Sequence, residues 1–262
     1  MDFNVEELRR FFLAKIIGRR IEAHEEVGST NTEAMRLALE GAPEGTVVLA
    51  DAQSEGRGRL DRTWESPPSR NLYLSVVLRP DIPAAQASLI PLTAGVAAAD
   101  VLSRYCPGRV RLKWPNDVLV GGKKICGILT EMRTRGDRVQ FLVVGIGVNL
   151  NMRTLDFPRE LRETATSLQI ETGGEIDRLD FAVRLFESLE RWYRVFLEGD
   201  GAAIRERWLQ GADCVGKRAE VVFGGTIERG TVVGLDPTGA LLLEGKTGVR
   251  QVLAGDVYIE RV

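Results

Sequence analysis

The stretch VRLKWPNDVLVGGKKICGILTEMRTRGDRVQFLVVGIGV, residues 110–148, decides the fold. It holds three strand-like runs, 110–114, 125–132 and 140–148, separated by Asn-Asp, Gly-Gly and Arg-Gly-Asp turns. Connections this short suit hairpins and a meander, because a parallel crossover needs a dozen or more residues between strands. Upstream, the spacing of Leu8, Phe11, Phe12 and Ile16 predicts an amphipathic helix over 5–17. Ser29-Thr30-Asn31 offers N-cap chemistry for a helix reaching Leu39 and stopped near Gly41 and Pro43. Short strands are expected at 46–50 and 72–78, then an Ala- and Leu-rich helix over 84–105 with Pro91 at a kink or in an early turn.

Downstream, Leu179, Val183, Phe186, Leu189, Trp192, Tyr193 and Phe196 form the buried stripe of a helix over 177–197. After Gly211 the texture changes to five short strands punctuated by Gly224-Gly225, Asp236-Pro237-Thr238-Gly239 and Gly245. The expectation is an α+β domain over 1–212 followed by a small SH3-like β-barrel over 213–262.

Composition narrows the function. With 35 basic and 37 acidic side chains the net charge is −2, so nucleic-acid binding by bulk electrostatics is not expected. Cys106, Cys126 and Cys214 have neither disulfide nor metal-ligand spacing and read as buried apolar residues in a reduced, cytoplasmic setting. The charged start MDFNVEELRRFF is no signal sequence, and no apolar run of membrane-spanning length is read. His24, the single histidine, excludes a HExxH zinc site, and it reads as partly exposed.

Three loops concentrate chemistry. Gly56-Arg57-Gly58-Arg59-Leu60-Asp61-Arg62 alternates glycines with guanidinium groups, which suits wrapping an anion, and Trp64 follows as a stacking face. Lys113-Trp114-Pro115-Asn116-Asp117 presents an amide and a carboxylate from a rigid corner, and Lys123-Lys124 opens the next strand. Gly145-Ile146-Gly147-Val148-Asn149 is the third. Two near-motifs fail: in Gly211 to Lys217 the next residue is Arg218 rather than Ser or Thr, and Gly239 stands one residue too far from Gly245-Lys246-Thr247. Neither supports a P-loop, and Gly145-x-Gly147 opens no dinucleotide-binding helix.

Taken in order, Ser29-Thr30-Asn31, the Gly56 to Arg59 loop, Lys113 to Asp117, Lys124 with Gly127-Ile128-Leu129, and Gly145 to Asn149 resemble the signatures of biotin protein ligases over essentially the whole chain. The resemblance implies a class II synthetase-like catalytic domain, a mixed β-sheet flanked by helices, with the SH3-like tail. It also implies Mg-ATP and biotin as substrates. Biotin is activated as biotinyl-5'-AMP and passed to one lysine of a biotin carboxyl carrier protein. Bifunctional members carry an N-terminal DNA-binding domain; only a short segment precedes the motifs here, so repressor activity is not expected.

By position, Ser29, Thr30, Asn31 and Gln53 should bond the biotin head, Arg57, Gly58 and Arg59 should cover its tail and phosphate, and Gly127 should let the ligand lie close. Lys124 should bridge carboxylate and α-phosphate. Arg57, Arg59, Arg62, Trp64, Lys113, Asn116, Lys124 and Asn149 are implied on the ATP side, with Trp64 near adenine and no protein metal site. Lys124, Arg59 and Asp117 are the implied catalytic groups, Asp117 as orienter or proton acceptor for the incoming amine. At Leu60-Asp61, where some relatives have Arg-Gly, the loop departs from the family pattern. A homodimer is implied by resemblance alone. The alternatives are a lipoate-type protein ligase and a non-catalytic biotin-responsive regulator; the first lacks the KWPND run and the tail, and the second needs a DNA-binding element.

Overall fold

The computed structural model describes residues 5–12 and 15–259. A seven-stranded mixed sheet forms the centre. Its strands are β1 (Arg20–Val27), β2 (Thr46–Gln53), β3 (Leu72–Leu78), β4 (Val110–Lys113), β5 (Asp117–Val120), β6 (Lys123–Arg135) and β7 (Arg138–Val148), in spatial order β1-β2-β3-β7-β6-β5-β4. Only β1 and β2 pair in parallel; the rest is antiparallel, with the expected meander running β4 to β7. The Asn-Asp corner is followed at once by the four-residue strand β5, which short length hid in the sequence.

Helices cover both faces. Helix α2 (Thr30–Leu39) seals one with a small cluster in which Ala34, Leu37 and Ala38 meet Val48, Val77, Phe141 and Val143. Ser29 precedes it in extended conformation but makes no side-chain cap bond, its place as a cap being positional only. The other face holds the main core under α3 (Leu89–Tyr105), which is apolar on nearly every side because α5 (Arg178–Leu197) and α6 (Gly201–Gly211) pack on its back. Pro91 sits in its first turn, after a short 3₁₀ segment (Ala84–Ser88). The combined run Ala84–Tyr105 does reach the length and mean hydropathy (1.4) of a membrane span, against expectation; 72% of its most apolar window is buried inside the protein.

The first helix, α1 (Val5–Phe12), stops short of Ile17, and the side chain of Phe11 and residues 13–14 lie outside the described residues. The Glu190 carboxylate accepts from the amides of Ile16 (3.1 Å) and Ile17 (2.9 Å), so these amides find a partner outside any helix. Leu168–Thr172 adds a short helix, α4. The C-terminal strands β8 (Arg218–Phe223), β9 (Thr226–Leu235), β10 (Leu241–Gly245), β11 (Gly248–Val252) and β12 (Asp256–Ile259) form a separate antiparallel sheet in the order β11-β10-β9-β8-β12. All three cysteines are buried and free, and His24 is half-buried on β1.

Candidate active site

Sheet register assembles the centre of the site. Pairing places Lys113 opposite Asp117, Asp117 opposite Gly127, Gly127 opposite Gly147 and Gly147 opposite Tyr73, so residues far apart in sequence share one row. The two glycines make a floor under Trp64. A β-carbon on Gly147 would stand 2.5 Å from the indole nitrogen, and one on Gly127 would stand 2.8 Å from the ring. The close approach expected at Gly127 is thus made first by an indole of this chain. Lys124 Nζ lies 2.7 Å from an Asp117 carboxylate oxygen and 5.3 Å from the centre of the Trp64 ring. Trp64 Nε1 is buried without an acceptor among the described residues, although an indole N–H only donates.

The arginine–glycine loop folds over this row. Gly58 N–H donates to Arg62 O (2.6 Å) and Trp64 N–H to Gly56 O (2.9 Å), closing it on itself. Each arginine has a separate partner: Arg57 pairs with Glu131 (2.9 Å), Arg59 Nη1 donates to Asn116 Oδ1 (3.0 Å), and Arg62 pairs with Asp256 of the C-terminal sheet. Burial pushes the Arg59 guanidinium down from its ordinary value, and the nearby Asp256 and Asp117 offset this only in part. An arginine nevertheless stays charged, so Arg59 is a poorly solvated cation facing the cavities.

Leu60 and Asp61 take φ of 55° and 57°, the left-handed region that favours glycine. Asp61→Gly is expected to raise stability by about 0.5–1 kcal/mol, the relieved strain exceeding the added freedom of the unfolded chain. Urea denaturation checks this; a lowered midpoint would mean that the exposed Asp61 side chain contributes more than its backbone costs.

Two cavities meet at Lys124. The first, about 50 Å³, is lined by Ser29, Thr30, Asn31, Gln53, Arg57, Gly58, Arg59, Lys124 and Gly127, which is every residue expected on the biotin side, and also by Trp64, expected near adenine. The second, about 540 Å³, is lined by Arg59, Arg62, Trp64, Lys113, Asn116, Asp117, Lys124 and Asn149, a size typical of small-molecule sites. Gly58, Arg59, Trp64, Asn116 and Lys124 border both. Arg57 does not line the second cavity; it borders the first and pairs with Glu131.

Two expected nucleotide contacts have amides already engaged. Asn149 Nδ2 donates to Thr166 O (3.0 Å), and Asn116 Nδ2 donates to Ile128 O (2.8 Å). Trp114, two residues before Asn116, faces away: it is 4% exposed and its Nε1–H donates to Gly239 O (3.1 Å) in the turn between β9 and β10. Sequence reading passed over Glu131, Asp256, Ser66 and Ser75, which hold the expected residues in place. Their types carry no local signal, because each partner is distant in the chain.

Comparison with known proteins agrees with this geometry. Residues 24–149 match the biotin/lipoate A/B protein ligase family, and residues 216–259 match the biotin protein ligase C-terminal domain. The chain is 36% identical over 254 residues to the bifunctional ligase/repressor BirA of Bacillus subtilis, covering 97% of this chain and 78% of that one. It is 37% identical over 233 residues to the biotin–[acetyl-CoA-carboxylase] ligase of Paracoccus denitrificans, covering 88% and 96%. Among solved structures it resembles the Aquifex aeolicus biotin protein ligase in complex with biotin and ATP, with a TM-score of 0.77, 28% identity and coverage of 93% and 100%. A junction of two cavities at one lysine, both matched domains and near full-length similarity lead to one assignment: the chain belongs to the biotin protein ligase family.

Proposed function

We propose that the protein is an ATP-dependent ligase that activates biotin as biotinyl-5'-AMP and transfers it to a lysine of a carboxylase's biotin carrier domain. The observation that carries this is the junction: Lys124 and Arg59 border both cavities, where two anions would have to meet. A biotin carboxylate oxygen attacks the α-phosphorus, the bond to the bridging oxygen of pyrophosphate breaks, and pyrophosphate leaves. The carrier's ε-amine then attacks the acyl carbon, the amide forms, AMP leaves and the amine loses a proton. Cations fixed where negative charge gathers, in a site shielded from water, can supply most of the acceleration.

In this reading Ser29, Thr30, Asn31 and Gln53 hold the biotin head, and Arg57, Gly58 and Arg59 cover the tail. Lys124 bridges carboxylate and phosphate over the Gly127 floor. Arg62, Trp64, Lys113, Asn116 and Asn149 shape the nucleotide side, and Asp117 orients or deprotonates the amine. The first cavity holds only a few waters' volume while Trp64 sits on its glycines, so a bicyclic head enters as the indole or loop shifts. No cluster of three or more metal-ligating side chains occurs among the described residues. In this reading magnesium arrives with the triphosphate, whose charge it neutralises, as is usual for this ion.

Residues 1–212 form the catalytic unit in this reading and 213–262 the appendage. The net charge of −2 favours a protein partner over nucleic acid, and the resemblance adds a homodimer working in the cytoplasm. Exchange of labelled pyrophosphate into ATP, driven by biotin and then by lipoate, tests the assignment, followed by mass analysis of a carrier domain. Biotin-driven exchange with the mass gain of one biotinyl group is expected. Exchange driven by lipoate alone would replace the assignment with the lipoate alternative.

A further inference from the structure

A continuous path of hydrogen bonds leaves the arginine–glycine loop at one end and returns to it at the other. Arg57 pairs with Glu131, whose carboxylate also accepts from Asn31 Nδ2 at 2.8 Å. Asn31 Oδ1 accepts from Ser75 Oγ (2.6 Å), which lies 2.8 Å from Thr30 Oγ1. The Thr30 amide donates to Gln53 Oε1 (2.8 Å), which leaves the Thr30 hydroxyl proton free for Ser75 Oγ. Gln53 Nε2 donates to Ser66 Oγ (2.8 Å), and that hydroxyl donates to Trp64 O (2.9 Å). The residues that bind the ligand head in the reading above are therefore the middle links between the two ends of the loop.

Only one link is ionic and bridges pocket to loop. Glu131 stands on β6 with 30% of its side chain exposed, and its carboxylate is divided between a buried amide and a guanidinium. Asn31 is 3% exposed and fixed against the backbone: a β-carbon on Gly145 would lie 2.0 Å from its Oδ1. Asn31 Nδ2 donates to Leu129 O (3.2 Å) as well as to Glu131, so a polar head that accepts from it competes for the same two protons, and the carboxylate is left to Arg57. The ion pair then strengthens, because a carboxylate with fewer competing donors is a better acceptor for the one that remains.

We propose that Glu131 is a positioning residue that couples occupancy of the head pocket to the closure of the loop at Arg57. This rests on the biotin-ligase reading and goes beyond it, assigning to a residue outside the expected contact set the task of making the nucleotide site sensitive to biotin. Glu131 touches neither reacting atom. It acts through Arg57, and its effect belongs to coupling between the two substrates rather than to the affinity of either alone.

The test uses the whole chain and reads chymotryptic cleavage after Leu60, biotin binding by calorimetry, and the KM for each substrate in pyrophosphate exchange. In the unaltered protein, biotin alone is expected to slow cleavage. Glu131→Gln keeps an acceptor for Asn31 and removes the charge that holds Arg57. It is expected to abolish most of the biotin-induced protection and to raise the KM for ATP about 5–10-fold, while biotin affinity changes less than about threefold. In an Arg57→Ala background the same substitution is expected to add nothing further, a result that general loss of structure would not give. Full protection in Glu131→Gln, or effects that add in the double variant, would overturn the coupling. Absence of biotin binding in the unaltered protein would instead remove the reading on which it rests.

Discussion

Replacing Lys124 by alanine is expected to lower biotin-dependent pyrophosphate exchange by about 10²–10³-fold, the range found when one preorganised donor to a developing charge is removed. Among the described residues the ammonium is the one cation that touches the glycine floor, the Asp117 carboxylate and both cavities. Arg59 is held by Asn116, Arg57 by Glu131 and Arg62 by Asp256. Removing Lys124 also leaves Asp117 facing the incoming phosphates with its charge uncompensated, which adds repulsion to the lost attraction. The cost should fall on kcat and on transfer to the carrier together, with the fold intact by thermal melting. A decrease smaller than about tenfold would show that the arginines suffice and that Lys124 is an accessory.

The second large effect is on stability. Arg178 and Asp51 form an ion pair at 2.8 Å with side chains only 8% and 9% exposed. Burial alone would raise the Asp51 carboxyl; the Arg178 guanidinium and the donors of Ser69 outweigh it and hold the group below its ordinary value. Arg178→Ala strands a buried carboxylate and is expected to destabilise the chain by about 3–5 kcal/mol. The pH dependence gives the check. A depressed folded-state pKa contributes stability that is present above the unfolded value, about 3.9, and is lost as pH falls through the folded one. Without Arg178, burial raises the folded value instead, so the variant gains relative stability as the acid protonates. The gap between the two proteins in urea denaturation should therefore be widest at neutral pH and narrow below about pH 4. A gap under about 1 kcal/mol at pH 7 would mean that water or another donor replaces the guanidinium. Activity should fall as well, because the other Asp51 oxygen accepts from Ser69, which follows the loop, and Arg178 Nε donates to Asn71 O beside Asn149.

How much of this was readable in the chain depended on distance. The meander was legible because its turns are local and its β-branched runs are long. Strand β5 was not, since four residues after an Asn-Asp corner give no period. Helix α6 escaped because only Ile204 and Trp208 face inward, between glycines at both ends. At the site, the loops and the lysine were legible as motifs, yet what holds them was not. Glu131 lies 74 positions from Arg57 and Asp256 lies 194 from Arg62, separations at which a carboxylate looks like any surface acid. The glycine at 147 was quoted in a motif without a role, because the indole it accommodates comes from a different strand connection.

The Trp114 bond to Gly239 changes how the tail is to be regarded. The turn that carries Gly239 is bound by Asp236, which accepts from Thr238 and Ala240, and a β-carbon on Gly239 would stand 2.8 Å from Leu92 of the central helix. A replacement tail taken from another protein would have to reproduce that bare backbone to seat on the indole. The small sheet is thus a keyed part rather than an interchangeable module: Ser88 donates to Thr238 O and Arg205 to Pro237 O on the same turn, beside the tryptophan that receives Gly239.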